Sequence, residues 1–272
     1  MNWAKKRCVV LDMDGTIYVG HIPIEGAVAF VRRHWDELDF HFLSNNTSKS
    51  PATYIRRLRG MGIPADRERL LSPVTPLVEF LRERGITRIY PVGNADFQAD
   101  MRERMPEVVF DGEAPAAVVL AYDTELTYAK LARSALLLQR PEVLFLATHP
   151  DLVCPSPEGP LPDVGSFLAL YRTATGRTPE YIFGKPDPRV LAPLLRRYRP
   201  EEMLMVGDRL STDMRLAYNA GIDAVLVLSG EATRADLARE ERQPALVLDD
   251  LGCAEAAFTQ AHGQPQSSTN KE

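Results

Sequence analysis

The sequence predicts an α/β fold in which a parallel sheet is connected by crossover helices. Short runs of apolar and β-branched residues alternate with segments of helical periodicity along most of the chain, which is the pattern of such a sheet. Acidic and polar residues follow directly after several predicted strands, where open parallel sheets bind their ligands. The composition, 45% apolar and 25% charged, is typical of a globular protein and disfavours disordered or fibrous architectures.

The opening of the chain supplies the first two strands of the predicted sheet. Residues 8–11 form an apolar run and are predicted to be a strand. Ala27, Val31 and Leu38 follow with helical spacing, and residues 40–43 are predicted to be the second strand.

A second set of elements follows after two further helices. Those helices are predicted at residues 50–60 and 75–85, because each opens with a hydroxyl residue followed by proline and ends near a glycine. The later elements could make a small α/β domain, with strands at 86–92, 116–121 and 143–147 and a helix at 128–139.

After a turn-rich segment, the remainder of the chain again alternates between predicted helices and strands. Residues 150–162 contain five prolines and are predicted to have little regular structure. Beyond Lys185 we predict one helix, a strand at 203–206, a helix at 211–220 capped by Gly221, and a strand at 224–228. Residues 263–272 are polar, so we predict a disordered tail.

Charge and cysteine content exclude several classes of function. A net charge of -5 provides no general attraction to nucleic acids or anionic membranes, so neither is an expected partner. The three cysteines are scattered and form no Cys-x-x-Cys pair, which argues against a disulfide framework and a thiolate metal site. The sequence contains no apolar run long enough for a secretory signal or membrane span, and we expect a cytoplasmic protein.

Two aspartates mark the end of the first predicted strand. Asp12 and Asp14 belong to the run Asp-Met-Asp-Gly-Thr that follows residues 8–11, so both carboxylates emerge at the carboxyl end of a strand. Two aspartates at this spacing can share one divalent cation while each carboxylate takes a different task. A solvated acidic turn is the alternative.

Three further segments add polar groups at strand ends or turns. Ser44 and Asn45 can donate to phosphate oxygens, and Lys185 can neutralise a phosphate. Asp208 and Asp213 form a second acidic pair after a strand. Each segment alone could be an ordinary loop or cap. Together they supply an acid/base, a cation and donors for phosphate oxygens, as phosphoryl transfer through a covalent aspartyl-phosphate requires.

In this order, the four segments resemble the motifs of the haloacid dehalogenase-like (HAD) superfamily. The run from Asp12 is similar to its first motif, Ser44-Asn45 to its second, Lys185 to its third, and Gly207-Asp208 with Asp213 to its fourth. The resemblance extends to about Phe258.

The segment inserted before Lys185 is similar to the large α/β cap of the NagD and 4-nitrophenylphosphatase branch. The resemblance therefore implies a Rossmann-like parallel-sheet core formed by residues 1–77 and 181–262, with a cap at 78–180. His149 stands where many relatives have asparagine before Pro-Asp, and Ser211 stands where an acidic residue is frequent.

The resemblance implies a magnesium-dependent phosphatase with defined roles for its residues. Asp12 would be the nucleophile and Asp14 the general acid and base. Mg²⁺ would be held by the Asp12 carboxylate, the Asp14 backbone carbonyl and Asp208, with Asp213 supporting that shell. The phosphate would be bound by Gly15, Ser44, Asn45 and Lys185.

The expected substrate is a small phosphorylated metabolite, such as a sugar phosphate, a phosphoglycolate-like compound or a nucleotide. A closing cap would exclude polymers, and His149 with Asp151 are the predicted specificity residues. His149 has an alternative interpretation as a hydrogen-bonded structural residue. Similar proteins often pair through their caps, so a homodimer is one expectation. Two alternatives remain open, namely a phosphoacceptor signalling domain and a HAD scaffold without catalysis.

Overall fold

The computed structural model describes residues 1–156 and 158–263. Its strands are, in chain order, β1 (Cys8–Leu11), β2 (Tyr18–Val19), β3 (Ile22–Pro23), β4 (Asp39–Leu43), β5 (Leu70–Leu71), β6 (Arg88–Val92), β7 (Val109–Phe110), β8 (Ala117–Leu120), β9 (Leu144–Ala147), β10 (Val153–Cys154), β11 (Leu161–Pro162), β12 (Tyr181–Ile182), β13 (Met203–Gly207), β14 (Asp223–Val227) and β15 (Leu246–Leu248).

The helices lie mainly between these strands, as expected for an α/β fold. In chain order they are α1 (Glu25–Arg33), α2 (Pro51–Gly60), α3 (Val74–Glu83), α4 (Ala95–Arg104), α5 (Tyr128–Leu138), α6 (Val164–Thr175), α7 (Ala192–Leu195), α8 (Arg215–Ala220), α9 (Arg234–Leu237) and α10 (Glu255–Gly263). Among the described residues, no helix combines the length and the apolar character that crossing a membrane needs.

The chain forms two compact units. The first contains Met1–Phe42, Met61–Ile63 and the described residues from Leu194 onward, and the second contains Leu43–Gly60 and Pro64–Pro193. The predicted domain limits, at residues 78 and 180, and the predicted pairing through the cap stay predictions.

The first unit is built on parallel strands in the order β15, β14, β13, β1, β4. β1 is central, with all four of its residues buried, because it is flanked by β13 on one side and β4 on the other. Leu11 lies opposite Val206 in this register, so β1 and β13 end side by side. The parallel direction therefore brings the residues after both strands to one sheet edge.

The second unit has its own parallel sheet, in the order β12, β9, β8, β6, β7. Ala117 and Val119 of β8 pack in a cluster with α3 and α4, whereas Val118 and Leu120 pack in a separate cluster with α5 and α6. Because side chains alternate across a strand, this arrangement places helices on both faces of the sheet. The predicted α/β fold with a parallel-sheet core and an inserted α/β unit is confirmed.

Several local predictions need correction. Residues 150–162 are not wholly irregular, because β10 and β11 pair as an antiparallel ribbon, with Pro157 outside the described residues. α1 ends at Arg33, so Leu38 is buried through the turn before β4 rather than through the helix. The helix predicted from residue 211 begins at 215, after a wide π-type turn.

Gly221 does cap α8 in the left-handed conformation, as predicted. The predicted disordered tail began at Gly263, but this glycine is the last residue of α10. Residues 264–272 lie outside the described part of the chain.

Candidate active site

The ends of β1 and β13 carry a cluster of three carboxylates. The Asp12 backbone N–H donates to the Val206 carbonyl at 2.9 Å, which continues the strand pairing to the first residue after β1. Ligand oxygens of Asp12, Asp208 and Asp213 lie within 4.8 Å of one another. These residues are only 8%, 3% and 0% exposed. Negative charges this close and this buried repel one another, so the cluster suits a compensating cation.

The loop after β13 orients Asp208 and Asp213 through backbone contacts. One Asp213 carboxylate oxygen accepts the Arg209 N–H at 3.0 Å. Gly207 leaves room for that carboxylate, since a Cβ at Gly207 would lie 2.3 Å from the Asp213 Cγ. The Asp208 Oδ2 accepts the Glu231 N–H at 2.7 Å, so Asp208 is held from the loop after β14.

Two glycines make space for the Asp208 carboxylate. Gly15 has a φ of +87°, and a Cβ there would lie 2.3 Å from Asp208 Oδ2. A Cβ on Gly230 would lie 2.0 Å from the same oxygen. The Ser229 hydroxyl donates to the Gly15 carbonyl at 2.7 Å, which ties the loop after β14 to the turn after β1.

Sequence reasoning missed Ser229 and Gly230. They follow the end of β14 by two and three residues, which is the same strand-end signal that identified the other segments. The loop after β14 therefore supports the acidic cluster together with the residues that follow β1 and β13.

Replacing Gly230 with alanine is expected to displace the Asp208 carboxylate and to lower the kcat of the predicted phosphatase activity, measured with 4-nitrophenyl phosphate, by about 10²-fold, the scale of a 1 Å misplacement. Titrations of kcat with Mg²⁺, the predicted cofactor, should also show a higher half-saturating concentration of the ion. Gly60→Ala is the matched control, because a Cβ there meets nothing within 4 Å. Equal activity of the two variants would contradict the assigned role of Gly230.

Asp14 differs from the three clustered aspartates in being exposed. Its Oδ1 accepts the Gly20 N–H at 3.4 Å, and the Gly15 N–H donates to the Tyr18 carbonyl at 2.7 Å, so the turn is closed onto β2. An exposed carboxylate can exchange protons with water, which suits a general acid and base. The predicted metal contact through the Asp14 backbone carbonyl stays a prediction.

In the second unit, the Asn45 side chain forms hydrogen bonds with the Lys185 backbone and with the Asp151 carboxylate. The Asn45 Oδ1 accepts the Lys185 backbone N–H at 2.8 Å, and the Nδ2 group donates to the Lys185 carbonyl at 3.1 Å. The same Nδ2 lies 3.3 Å from both Asp151 carboxylate oxygens. Ser44 precedes this residue, and its hydroxyl accepts the Asn46 N–H at 3.2 Å. The structure therefore brings together the predicted site residues Asn45, Lys185 and Asp151, with Ser44 next to Asn45 in the chain.

His149 is completely buried, and both ring nitrogens have partners. Nε2 lies 2.9 Å from Asp163 Oδ1, and Nδ1 lies 3.0 Å from the Thr148 hydroxyl. Asp163 also caps α6 by accepting the Val164 N–H at 2.6 Å. Sequence reasoning missed Asp163, although an aspartate just before a helix is a common capping signal. A substrate contact of His149 stays a prediction.

Tyr122 follows β8 and is buried. Burial is the main cause that raises the pKa of its phenol, and the nearby Cys154 and Asp163 raise that pKa further. The phenol therefore keeps its proton at neutral pH and is available as a hydrogen-bond donor rather than as a base.

The predicted site residues thus fall into two groups, one in each compact unit. The acidic cluster and Asp14 belong to the first unit, and Ser44, Asn45 and Lys185 belong to the second. The prediction that both groups face a single substrate stays a prediction.

Two family models match the chain over the segments that carry these groups. A haloacid dehalogenase-like hydrolase model matches residues 9–104, and a HAD-hydrolase-like model matches residues 182–254. The first match includes Asp12 and Asn45, and the second includes Lys185, Asp208 and Asp213.

Curated relatives match over nearly their full length. The chain is 30% identical over 246 residues to a 5'-nucleotidase of Bacillus subtilis, which covers 89% of this chain and 94% of the relative. It is 29% identical over 253 residues to an acid sugar phosphatase of Staphylococcus haemolyticus, covering 90% of this chain and 94% of that protein.

Solved structures show the same relationship. A 4-nitrophenylphosphatase of Thermotoga maritima has a TM-score of 0.88 and 37% identity, and the match covers 94% of this chain and 98% of that chain. A glycerol phosphate phosphatase of Mycobacterium tuberculosis, solved in complex with magnesium, has a TM-score of 0.80 and 28% identity over 91% of this chain and 76% of that chain.

Proposed function

Because the chain belongs to the haloacid dehalogenase-like hydrolases and is a phosphatase, we propose that it hydrolyses small phosphomonoesters with Mg²⁺ and through an aspartyl-phosphate on Asp12. The observation that carries this proposal is the buried cluster of Asp12, Asp208 and Asp213 at the ends of β1 and β13. Asp14, two residues after Asp12, adds an exposed carboxylate beside the nucleophile.

The cluster fits a small, hard divalent cation. Its three members offer carboxylate oxygens, the ligand type that Mg²⁺ prefers. In the proposed assignment Asp12 and Asp208 hold the ion together with the Asp14 backbone carbonyl, and Asp213 supports them. When bound, Mg²⁺ supplies positive charge that lets the Asp12 carboxylate and an anionic phosphate approach each other.

In the first proposed step, an oxygen of Asp12 attacks phosphorus. The bond between phosphorus and the leaving oxygen breaks, and Asp14 gives its proton to that oxygen, so the product leaves as an alcohol. Lys185 and the Ser44 hydroxyl are proposed to offset negative charge on the transferring group, whereas the Gly15 N–H already donates to the Tyr18 carbonyl at 2.7 Å. This electrostatic support is the main requirement of phosphoryl transfer.

In the second step, Asp14 takes a proton from a water molecule that attacks phosphorus. The bond between phosphorus and Asp12 then breaks and inorganic phosphate is released, which restores the Asp12 carboxylate and leaves Asp14 protonated for the next turnover. One residue thus acts first as acid and then as base, which requires a proton-exchanging position such as the exposed one of Asp14.

The proposed substrates are small because the relatives with known names act on small phosphate esters. These relatives include an acid sugar phosphatase, a 5'-nucleotidase and a glycerol phosphate phosphatase. Comparing kcat/KM across sugar phosphates, glycerol phosphates, phosphoglycolate and nucleoside monophosphates would assign the class. Asp151, which is partly exposed, is the proposed specificity residue on the second unit, whereas His149 is buried and both of its ring nitrogens are hydrogen-bonded.

Removing divalent metal with EDTA is expected to abolish turnover of 4-nitrophenyl phosphate, and adding Mg²⁺ should restore it. The melting temperature supplies a readout that does not depend on activity. Metal removal should lower it, because the three buried carboxylates then repel one another. Mg²⁺ at about 100 times its Kd would stabilise the fold by about 2.7 kcal/mol. Full turnover after metal removal would contradict the proposed cofactor.

A further inference from the structure

The side-chain amide of Asn45 pairs with the backbone of Lys185 at two points. We propose that Asn45 is a positioning residue that fixes the Lys185 peptide, with Asp151 as its second partner, rather than a ligand of the phosphate. This inference rests on the proposed function, in which Lys185 offsets charge on the transferring phosphate.

The hydrogen-bonding capacity of Asn45 supports this role. A side-chain amide has two N–H donors, and it can bind an accepting phosphate oxygen only through one of these. The Asn45 Nδ2 group already lies 3.1 Å from the Lys185 carbonyl and 3.3 Å from both carboxylate oxygens of Asp151. With Asn45 only 4% exposed, its donors are directed into these partners rather than toward a ligand.

The orientation of the amide is determined by its partners. The Lys185 N–H can only donate, so the atom 2.8 Å from it must be the amide oxygen. The Lys185 carbonyl and the Asp151 carboxylate can accept, so they require the amide nitrogen. All of these contacts agree on one orientation of the Asn45 side chain.

Asp151 is itself held by the start of α6. Its backbone carbonyl accepts the Gly165 N–H at 2.7 Å. A Cβ at Gly165 would lie 2.4 Å from the Pro150 carbonyl oxygen, so the loop and the helix are in close contact. The charged partner of Asn45 is therefore attached to a regular element.

Gly184 shows how closely the Lys185 peptide packs against Asn45. A Cβ on Gly184 would lie 2.5 Å from Asn45 Oδ1 and 2.7 Å from the Thr148 carbonyl oxygen. Lys185 is 3% exposed, so its flexible side chain starts from a fixed backbone inside a packed site. A small shift of this peptide would move the ammonium group, and misplacement by about 1 Å can cost about 10²-fold in rate.

A double-mutant cycle between positions 45 and 185 tests the inference. Asn45→Asp keeps the size of the side chain but replaces the donor nitrogen with an oxygen that faces the Lys185 carbonyl and the Asp151 carboxylate. We expect this change to lower kcat by about 10–10²-fold in the otherwise unchanged enzyme. In a Lys185→Ala background, where no ammonium remains to be placed, it should cost less than about threefold.

Asn46→Asp is the matched control, since it makes the same chemical change at the next residue, where the side chain contacts Cys154 and Ser48. The fold-change in kcat caused by Asn46→Asp should be the same in the otherwise unchanged enzyme and in the Lys185→Ala background. If Asn45→Asp fails to fold, the double variant Asn45→Asp with Asp151→Asn takes its place in the cycle. The new asparagine at position 151 restores an N–H donor between the two positions.

Equal losses from Asn45→Asp in both backgrounds would overturn the positioning role, because a direct phosphate ligand or general damage acts independently of Lys185. Unchanged kcat in Lys185→Ala alone would instead remove Lys185 from the proposed function, and the inference would fall with it. The single Lys185→Ala variant thus separates the two failures.

Discussion

Replacing Asp12 with asparagine is expected to lower kcat for 4-nitrophenyl phosphate by at least about 10³-fold, because the amide cannot attack phosphorus. Acid-quenched protein should also lose the covalently bound phosphate that the unchanged enzyme carries during turnover. The Mg²⁺-dependent rise in melting temperature should shrink, since one of the three clustered carboxylates is gone. In metal-free protein the same change removes a repelling charge and should not lower the melting temperature.

The matched control for this variant is Asp36→Asn, which makes the same change at an exposed aspartate of the first unit. Its kcat and its response to Mg²⁺ should stay within about twofold of the unchanged enzyme, as expected of a surface substitution. Full turnover by the Asp12 variant would end the assignment of Asp12 as nucleophile.

Replacing Asp14 with asparagine is expected to slow hydrolysis of an alkyl phosphate such as glycerol phosphate by about 10²–10⁴-fold, because the leaving alkoxide then lacks a proton donor. 4-Nitrophenolate leaves readily without a proton, so the first step with 4-nitrophenyl phosphate should be far less affected. The second step still lacks its base. Stopped-flow traces should therefore show a burst of about one 4-nitrophenolate per enzyme, followed by slow turnover.

The role of Asp14 as proton donor is decided by comparing the fold-losses in rate that the variant shows with the two substrates. Equal fold-losses for glycerol phosphate and the first turnover of 4-nitrophenyl phosphate would show that Asp14 does not protonate the leaving group. A variant without a burst but with slow steady turnover would place the effect before the aspartyl-phosphate forms.

Much of the fold follows from local sequence patterns. The apolar run at residues 8–11 is β1, and residues 128–139 contain α5. Those segments were predictable because hydrophobic periodicity and caps act within a few residues. α4 was missed because it carries many charged residues, and the three buried residues of the helix, Phe97, Asp100 and Met101, include only two large apolar side chains.

The β10–β11 ribbon shows a different limit. Its strands are two residues each and depend on a pairing between Val153 and Pro162. Proline-rich composition indicates a turn-rich loop, but it contains no signal for which residues pair. Pairing across a loop is a property of the folded chain.

The sequence by itself determined which chemical groups this protein has. Asp12, Asp14, Lys185 and Asp208 could be identified because each follows a strand or turn that a local sequence pattern predicts. Only the tertiary structure decided how those groups are supported. Asp208 is held by a backbone N–H of Glu231, and Lys185 is paired with an amide 140 residues away in sequence. Such contacts arise when the folded chain brings distant loops together, as the neighbouring strands β13 and β14 do for Asp208 and Glu231, and no periodicity within a segment encodes them.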